Sequence, residues 1–312
     1  MLTMKEINNM EEFDFNNIKY MTDLSSGATI SQTAKLYKSS ELLDYTTSSE
    51  LTYADIVNMT LGLNIASEFF DVCGAVLVKN NSLTGAALGS TIFEAFSKAV
   101  DCNPIDALCG VVVLTKKADE ELVKLLTPQH LIVAPEYSAE AENYLESKKI
   151  KYVKLNTPLN EYKNYLGVEL FNSPFGTVVQ NRNLQELNKD SFKVVSKTKP
   201  SVEQIEDAIF AWKVSKHLRS AGVVVAKDFK TTGLSQGIQN SAFEYAMNLS
   251  CDRAKEAVLA ADVPMTVHDL NVAVQNRISL IIQPGVTQDV LKQADKFNVA
   301  VITTGISNFL IN

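Results

Sequence analysis

Short continuous apolar runs alternate with helical patterns along most of the chain. From Ser49, the positions Tyr53, Ile56, Val57, Thr60, Leu63 and Phe69 keep roughly one face at helical spacing, which predicts a helix ending near Asp71. Gly74–Val78 then reads as a buried strand, Thr84–Gly89 as a turn and Thr91–Val100 as a second helix. The same logic predicts strands at Val111–Leu114, Leu131–Ala134 and Tyr152–Leu155, with helices at Asp119–Leu126 and Ala139–Lys148 between them. After a polar stretch broken by Pro158, Pro174 and Pro200, the order returns: a helix over Val202–Leu218, a strand at Val223–Ala226 and a helix opening at Ser241–Met247. Leu280–Ile282 and Val299–Thr303 read as strands, with a helix at Val290–Lys296. Residues 1–50 are irregular, with one or two short strands around Ile30–Tyr37, and Gly167–Gln180 reads as a hairpin. Continuous Val/Ile runs alternating with helices predict α/β architecture with sheets covered on both faces.

Two stretches repeat one another. Gly74-Ala-Val-Leu-Val-Lys79 leads to Thr84-Gly85 and Gly89, and Gly222-Val-Val-Val-Ala-Lys227 leads to Thr232-Gly233 and Gly237. Glycine, a β-branched run, lysine, then Thr-Gly and a further glycine recur at the same spacing. Such a repeat predicts two similar halves, with a functional site where they meet. The expected organisation is residues 1–157 as N-terminal strands plus the first subdomain, 158–201 as a crossing segment and 202–312 as the second subdomain.

Composition narrows the possible partners. The 29 basic and 36 acidic side chains give a formal charge of -7, which argues against a nucleic-acid or anionic-membrane partner. The apolar runs are too short to span a bilayer, and Met1–Phe15 lacks the apolar core of a secretory signal. Cys73, Cys102, Cys109 and Cys251 form no CxxC pair and read as reduced, buried thiols. A cytoplasmic protein is the expectation.

The three histidines, His130, His217 and His268, are scattered without metal-ligand spacing, so no metal site is predicted. Neither a GxGxxG nor a phosphate-binding GxxxxGK[ST] loop is present. What remains is Lys79 and Lys227, each expected at the carboxyl end of a buried strand, where open α/β sheets place ligands. A lysine there can hold a phosphate or carboxylate, or exchange protons if burial lowers its pKa. The following glycines would let backbone N–H groups approach an anion. Alternatively, both lysines simply leave the sheet for solvent.

The order Lys19-Tyr20, Val78-Lys79, Pro104, Ala134-Pro135, Ala226-Lys227-Asp228, Thr232-Gly233, Gly237, Ala261-Asp262, Ile282-Gln283-Pro284-Gly285 and Thr304-Gly305 resembles the transformylase domain of the bifunctional purine-biosynthesis enzymes. The resemblance covers essentially the whole chain. It implies duplicated cytidine-deaminase-like three-layer α/β/α subdomains without zinc, an intertwined homodimer and no covalently bound cofactor. It also implies formyl transfer from 10-formyltetrahydrofolate, as cosubstrate, to 5-aminoimidazole-4-carboxamide ribonucleotide. By that resemblance Lys79 and Asn80 are the catalytic positions. Lys19, Tyr20, Lys227, Gly233, Gly237 and Asp262 are substrate-binding positions for a small anionic nucleotide-like ligand.

Departures from the family pattern are concentrated in its site motifs. Asn80 stands where the family has its proton-moving histidine, and an amide cannot act as a base near neutral pH. Lys19 stands for an arginine, Ala221 for an asparagine and Ser241 for an arginine, while Ser307 and Asn312 replace the arginine and histidines of the C-terminal tail. The aromatic stretch after Asp262 becomes Val263-Pro264-Met265-Thr266-Val267. The resemblance together with these losses predicts a degenerate or repurposed relative. An active carboxamide-ribonucleotide formyltransferase in purine biosynthesis is the alternative.

Overall fold

The computed structural model describes residues 19–29, 32–38, 43–163, 168–187 and 192–310. A ribbon of β1 (Lys19–Leu24) and β2 (Ala34–Lys38) precedes the first half. That half runs β3 (Tyr45–Thr47), α1 (Tyr53–Ala66), β4 (Cys73–Lys79), β5 (Ser82–Gly89), α2 (Ile92–Val100), β6 (Gly110–Leu114), α3 (Glu120–Val123), β7 (His130–Ala134), α4 (Ala139–Ser147) and β8 (Lys151–Leu155). A crossing segment holds α5 (Leu159–Lys163) and a second ribbon, β9 (Val168–Ser173) with β10 (Gly176–Asn181). The second half runs β11 (Lys193–Val194), α6 (Val202–Ser215), β12 (Val223–Lys227), β13 (Lys230–Ser235), α7 (Gln239–Ser250), β14 (Val258–Ala261), α8 (Val267–Gln275), β15 (Leu280–Gln283), α9 (Gln288–Lys296) and β16 (Ala300–Thr303). The strand expected from Ile30 begins only at Ala34, and Ile30 itself, Gly167 and Asn312 lie outside the described residues.

One 12-stranded sheet contains both halves, in the order β11-β16-β15-β14-β12-β13-β5-β4-β6-β7-β8-β3. Read outward from its centre, each half has the same plan: a hairpin, three parallel strands, and a short antiparallel edge strand. The halves join where β13 lies antiparallel to β5, with Lys230 opposite Ala87. The alternation of side chains in the two copies explains the three layers. Val76 and Val78, like Val224 and Ala226, face one core shared with α1 and α6. Ala75 and Leu77 face α2 and α4 on the other side, and Val223 and Val225 face α7 and α8. The fold is α/β, with helices on both faces of a mixed sheet.

The motif read as a turn at Thr84–Gly89 is instead strand β5. The turns lie just before it, at Asn80-Asn81 (φ 52° and 56°) and Asp228-Phe229 (φ 54° and 54°), both two-residue hairpins with left-handed backbone. Asparagine tolerates that conformation, whereas phenylalanine does so only under constraint. The constraint is Asp207 on α6, whose carboxylate accepts the N–H groups of Asp228 and Phe229 at 2.9 and 2.7 Å. In the first half Asn58 of α1 accepts from Asn81 N–H at 2.7 Å. Asp207→Ala is expected to lower stability by about 1.5–3 kcal/mol, since its acceptor is charged. Urea denaturation checks this, and an unchanged midpoint would refute it.

The repeated Thr-Gly pairs are structural too. Thr84 and Thr232 donate to Leu77 O and Val225 O, where each hairpin shifts register. The cysteine expectation is corrected in part: Cys102 alone is buried, its thiol pushed up to about 11 chiefly by burial, while Cys251 is exposed.

Candidate functional site

Strand direction decides which residues can share a site. Because β4 is antiparallel to β6, Lys79 lies where the parallel strands of its own half begin, not where they end. Yet β13 is antiparallel to β5, and Gln236 Nε2, just past β13, donates to Ser82 Oγ at 3.1 Å. Lys79 therefore stands on the edge formed by the carboxyl ends of β14, β15 and β16, in the other half. The rule that ligands bind at carboxyl strand ends applies across the junction rather than within one half. The lysine turn of one copy lies on the same edge as the strand ends of the other, with β5, β13 and β12 between them.

At Lys79 the edge opens into a cleft of about 270 Å³, lined from the first half by Lys79, Asn80, Ser82, Thr84, Asn103 and Asp106, and from the second by Leu234 and Leu249. Lys79 Nζ lies 2.9 Å from Asp106 Oδ1. The other carboxylate oxygen accepts from Asn103 Nδ2 at 2.8 Å. The hydrogen bond to Asp106 raises the Lys79 pKa, and the same bond lowers that of Asp106. Lys79 is therefore an ammonium near neutral pH and cannot accept a proton.

On the same edge, the second half supplies buried polar groups. Asp262, 1% exposed, follows β14; its Oδ1 accepts Gly222 N–H at 2.8 Å and its Oδ2 accepts from Ser220 Oγ. Burial raises its pKa. Gly237 (φ +118°) exchanges backbone hydrogen bonds with Ala221, and a Cβ added there would meet nothing within 4 Å. Nearby, Gln283 Oε1 accepts Met265 N–H at 2.7 Å while its buried Nε2 has no partner, as is also true of Asp269 Oδ1 and Asn308 Nδ2. A buried donor without a partner costs about 1–3 kcal/mol, and a bound polar ligand or water would remove that cost.

The remaining predicted positions are elsewhere. Lys227 lies on the opposite edge, against Lys255 O at 3.3 Å and Glu256 Oε2 at 3.5 Å. Gly233 is buried in β13, where an added Cβ would come within 2.1 Å of Ala246 O on α7, so its close approach serves packing. Lys19 and Tyr20 are exposed on the β1–β2 ribbon, and Tyr20 packs edge-on to Tyr37. Met21, beside them, lines a different, apolar cleft of about 330 Å³ with Ile56, Met59 and Leu63.

Asp106 was not foreseen from sequence. A signal for it exists in the repeat: Asp106 precedes β6 as Glu256 precedes β14, and each carboxylate reaches the lysine of its own hairpin.

A family model described as the AICARFT/IMPCHase bienzyme matches residues 2–248. This chain belongs to that family. The bifunctional purine biosynthesis protein PurH of Caldicellulosiruptor saccharolyticus is 35% identical over 271 residues, covering 83% of this chain and 52% of the relative. PurH of Thermoanaerobacter sp. is 32% identical over 271 residues, again covering 83% and 52%. The chain thus spans about half the length of the curated relatives it matches. A solved structure of Acinetobacter baumannii RibD, form 2, overlaps only 31% of this chain, with TM-score 0.24 and 14% identity.

Proposed function

We propose that this chain is a ligand-binding relative of the family's transformylase domain that does not itself transfer formyl groups. The observation that supports this most is the protonation chemistry of the Lys79 cleft. Among the described residues its lining holds an amide at Asn80 and an ammonium tied to Asp106, but no group that takes up a proton near neutral pH. The three histidines are engaged elsewhere: His130 with Thr127 and Ala107 O, His217 with Glu68, and His268 with Glu244. General base catalysis contributes about 10²–10⁴-fold, so an otherwise intact site would still be severely slowed.

The ligand would sit along the junction edge, between Lys79 and the buried polar groups around Asp262. A second copy of the chain is the natural protein partner. Exposed apolar residues are carried on the two ribbons outside the main sheet, including Tyr20, Tyr37, Leu170, Phe171 and the fully exposed Phe175. A dimer would cover them.

The experiment combines a formyl-transfer assay with thermal-shift titration, using 5-aminoimidazole-4-carboxamide ribonucleotide and 10-formyltetrahydrofolate. Expected are no transfer above the uncatalysed rate, and stabilisation by at least one compound. Binding would add about 2.7 kcal/mol at a hundredfold excess over Kd. Asn80→His alone is expected not to restore transfer. Turnover that disappears in Lys79→Ala would overturn the proposal in favour of an active formyltransferase, and the absence of any shift would overturn its binding half.

A further inference from the structure

Among the described residues the Lys79 cleft is lined by two formally charged side chains, and they neutralise each other. Lys79 gives its ammonium to Asp106 Oδ1, and Asn103 holds the second carboxylate oxygen, so the acid is fixed at both ends. Asn103 Oδ1 also accepts Asp106 N–H at 3.3 Å, closing a small local network. An anionic group approaching Lys79 would have to approach Asp106 as well. Around this pair the lining is mixed: Leu83, Leu234 and Leu249 line the cleft beside the neutral polar Asn80, Ser82, Thr84 and Asn103, and Ile105 and Leu108, on either side of Asp106, are 78% and 64% exposed.

The second hairpin shows that the pair alone does not make a cleft. Lys227 has its own carboxylate partner, Glu256. There, however, Lys230 occupies the position of Ser82, and its ammonium reaches Asp101 Oδ2 at 3.3 Å. Arg253 adds bonds to the carbonyls of Asp101 and Cys102, so cations bridge the halves at that end. At the Lys79 end the short Ser82 side chain takes that place, and space remains.

We propose that Asp106 is a specificity-determining residue. It makes the Lys79 cleft a site for an uncharged, partly apolar ligand group bearing both a hydrogen-bond donor and an acceptor, and it excludes phosphate and carboxylate groups from Lys79. This rests on the reading of the cleft as a ligand site. An acceptor atom of the ligand would face Lys79 and a donor Asp106, with the apolar body on the leucines. Any phosphate of a nucleotide ligand would lie elsewhere along the junction edge.

Equilibrium dialysis with labelled inorganic phosphate tests the charge rule on the intact chain. The wild type is expected to show no saturable binding that depends on Lys79. Asp106→Asn keeps the side-chain shape while removing the like charge, and it should gain at least about tenfold in phosphate affinity. Lys79→Met in the Asp106→Asn background should abolish the gain. Because Asp106 and Lys79 are partly exposed, these changes should leave the urea midpoint essentially unchanged, which separates a site effect from misfolding. Phosphate binding by the wild type that Lys79→Met removes would overturn the proposal, as would an Asp106→Asn variant that gains nothing. Both results are read independently of formyl transfer, so failure of the non-transferring reading leaves this test intact.

Discussion

Glu68→Ala is expected to cost about 3–5 kcal/mol of folding stability, because it leaves the buried Lys216 ammonium without its carboxylate. Glu68 is 5% exposed in the helical turn that follows α1. Its Oε1 lies 3.0 Å from Lys216 Nζ and 3.1 Å from His217 Nε2, and its Oε2 lies 3.4 Å from Lys163 Nζ. Its backbone carbonyl accepts from Lys213 Nζ at 3.1 Å. One carboxylate thus holds together the first half, the crossing segment and the end of α6. Urea denaturation monitored by circular dichroism reads the loss, and a loss below about 1 kcal/mol would show the ring to be dispensable.

The same ring sets an acid limit on stability. Burial alone would raise the Glu68 pKa, but the His217 hydrogen bond and the neighbouring cations hold it well below the usual carboxylate range. Burial depresses His217, outweighing the pull of Glu68, so its neutral ring donates Nε2–H to the carboxylate. For both groups the unfolded chain binds protons that the folded chain refuses. Stability is therefore full above pH 6.5, the unfolded value for His217. It falls as that group protonates in the unfolded chain, and falls more steeply below 4.5, where unfolded glutamate does the same. Glu68→Gln should flatten the lower part of this acid limb, a difference visible in urea midpoints measured from pH 7 to pH 4.

Gly85→Ala and Gly233→Ala should each destabilise at the upper end of, or beyond, the about 1–3 kcal/mol typical of overpacking. A Cβ at Gly85 would lie 2.0 Å from Ala99 O on α2, and one at Gly233 would lie 2.1 Å from Ala246 O on α7. Both clashes are with helix backbone, which cannot turn aside as a side chain can. Gly285→Ala is the control: an added Cβ there meets nothing within 4 Å, so it should stay within about 0.5 kcal/mol of wild type. Equal tolerance at all three positions would refute the packing account.

These two glycines also mark how far the repeat could be read. Their recurrence after Lys79 and Lys227 points to two matching halves, and the mirrored strand order agrees with it. Their purpose was misread, since both lie within strands beneath helices rather than in anion-binding turns. A glycine needed for close helix approach and one needed for a turn look alike in sequence. The edge strands β3 and β11 are too short, at two or three residues, to carry a period, and β14 and α8 lie between elements with clearer patterns.

From the amino-acid order alone came the α/β class, the duplication and Lys79 at the end of an apolar strand. Those are properties of adjacent residues and of period, which a linear pattern carries. Only the tertiary structure decided that Lys79 shares an edge with the strand ends of the opposite half, that Asp106 pairs with it, and that Lys227 lies on the opposite edge. The first depends on strand direction across the β5–β13 junction and the other two on contacts within one half, and no local periodicity encodes which edge these residues share.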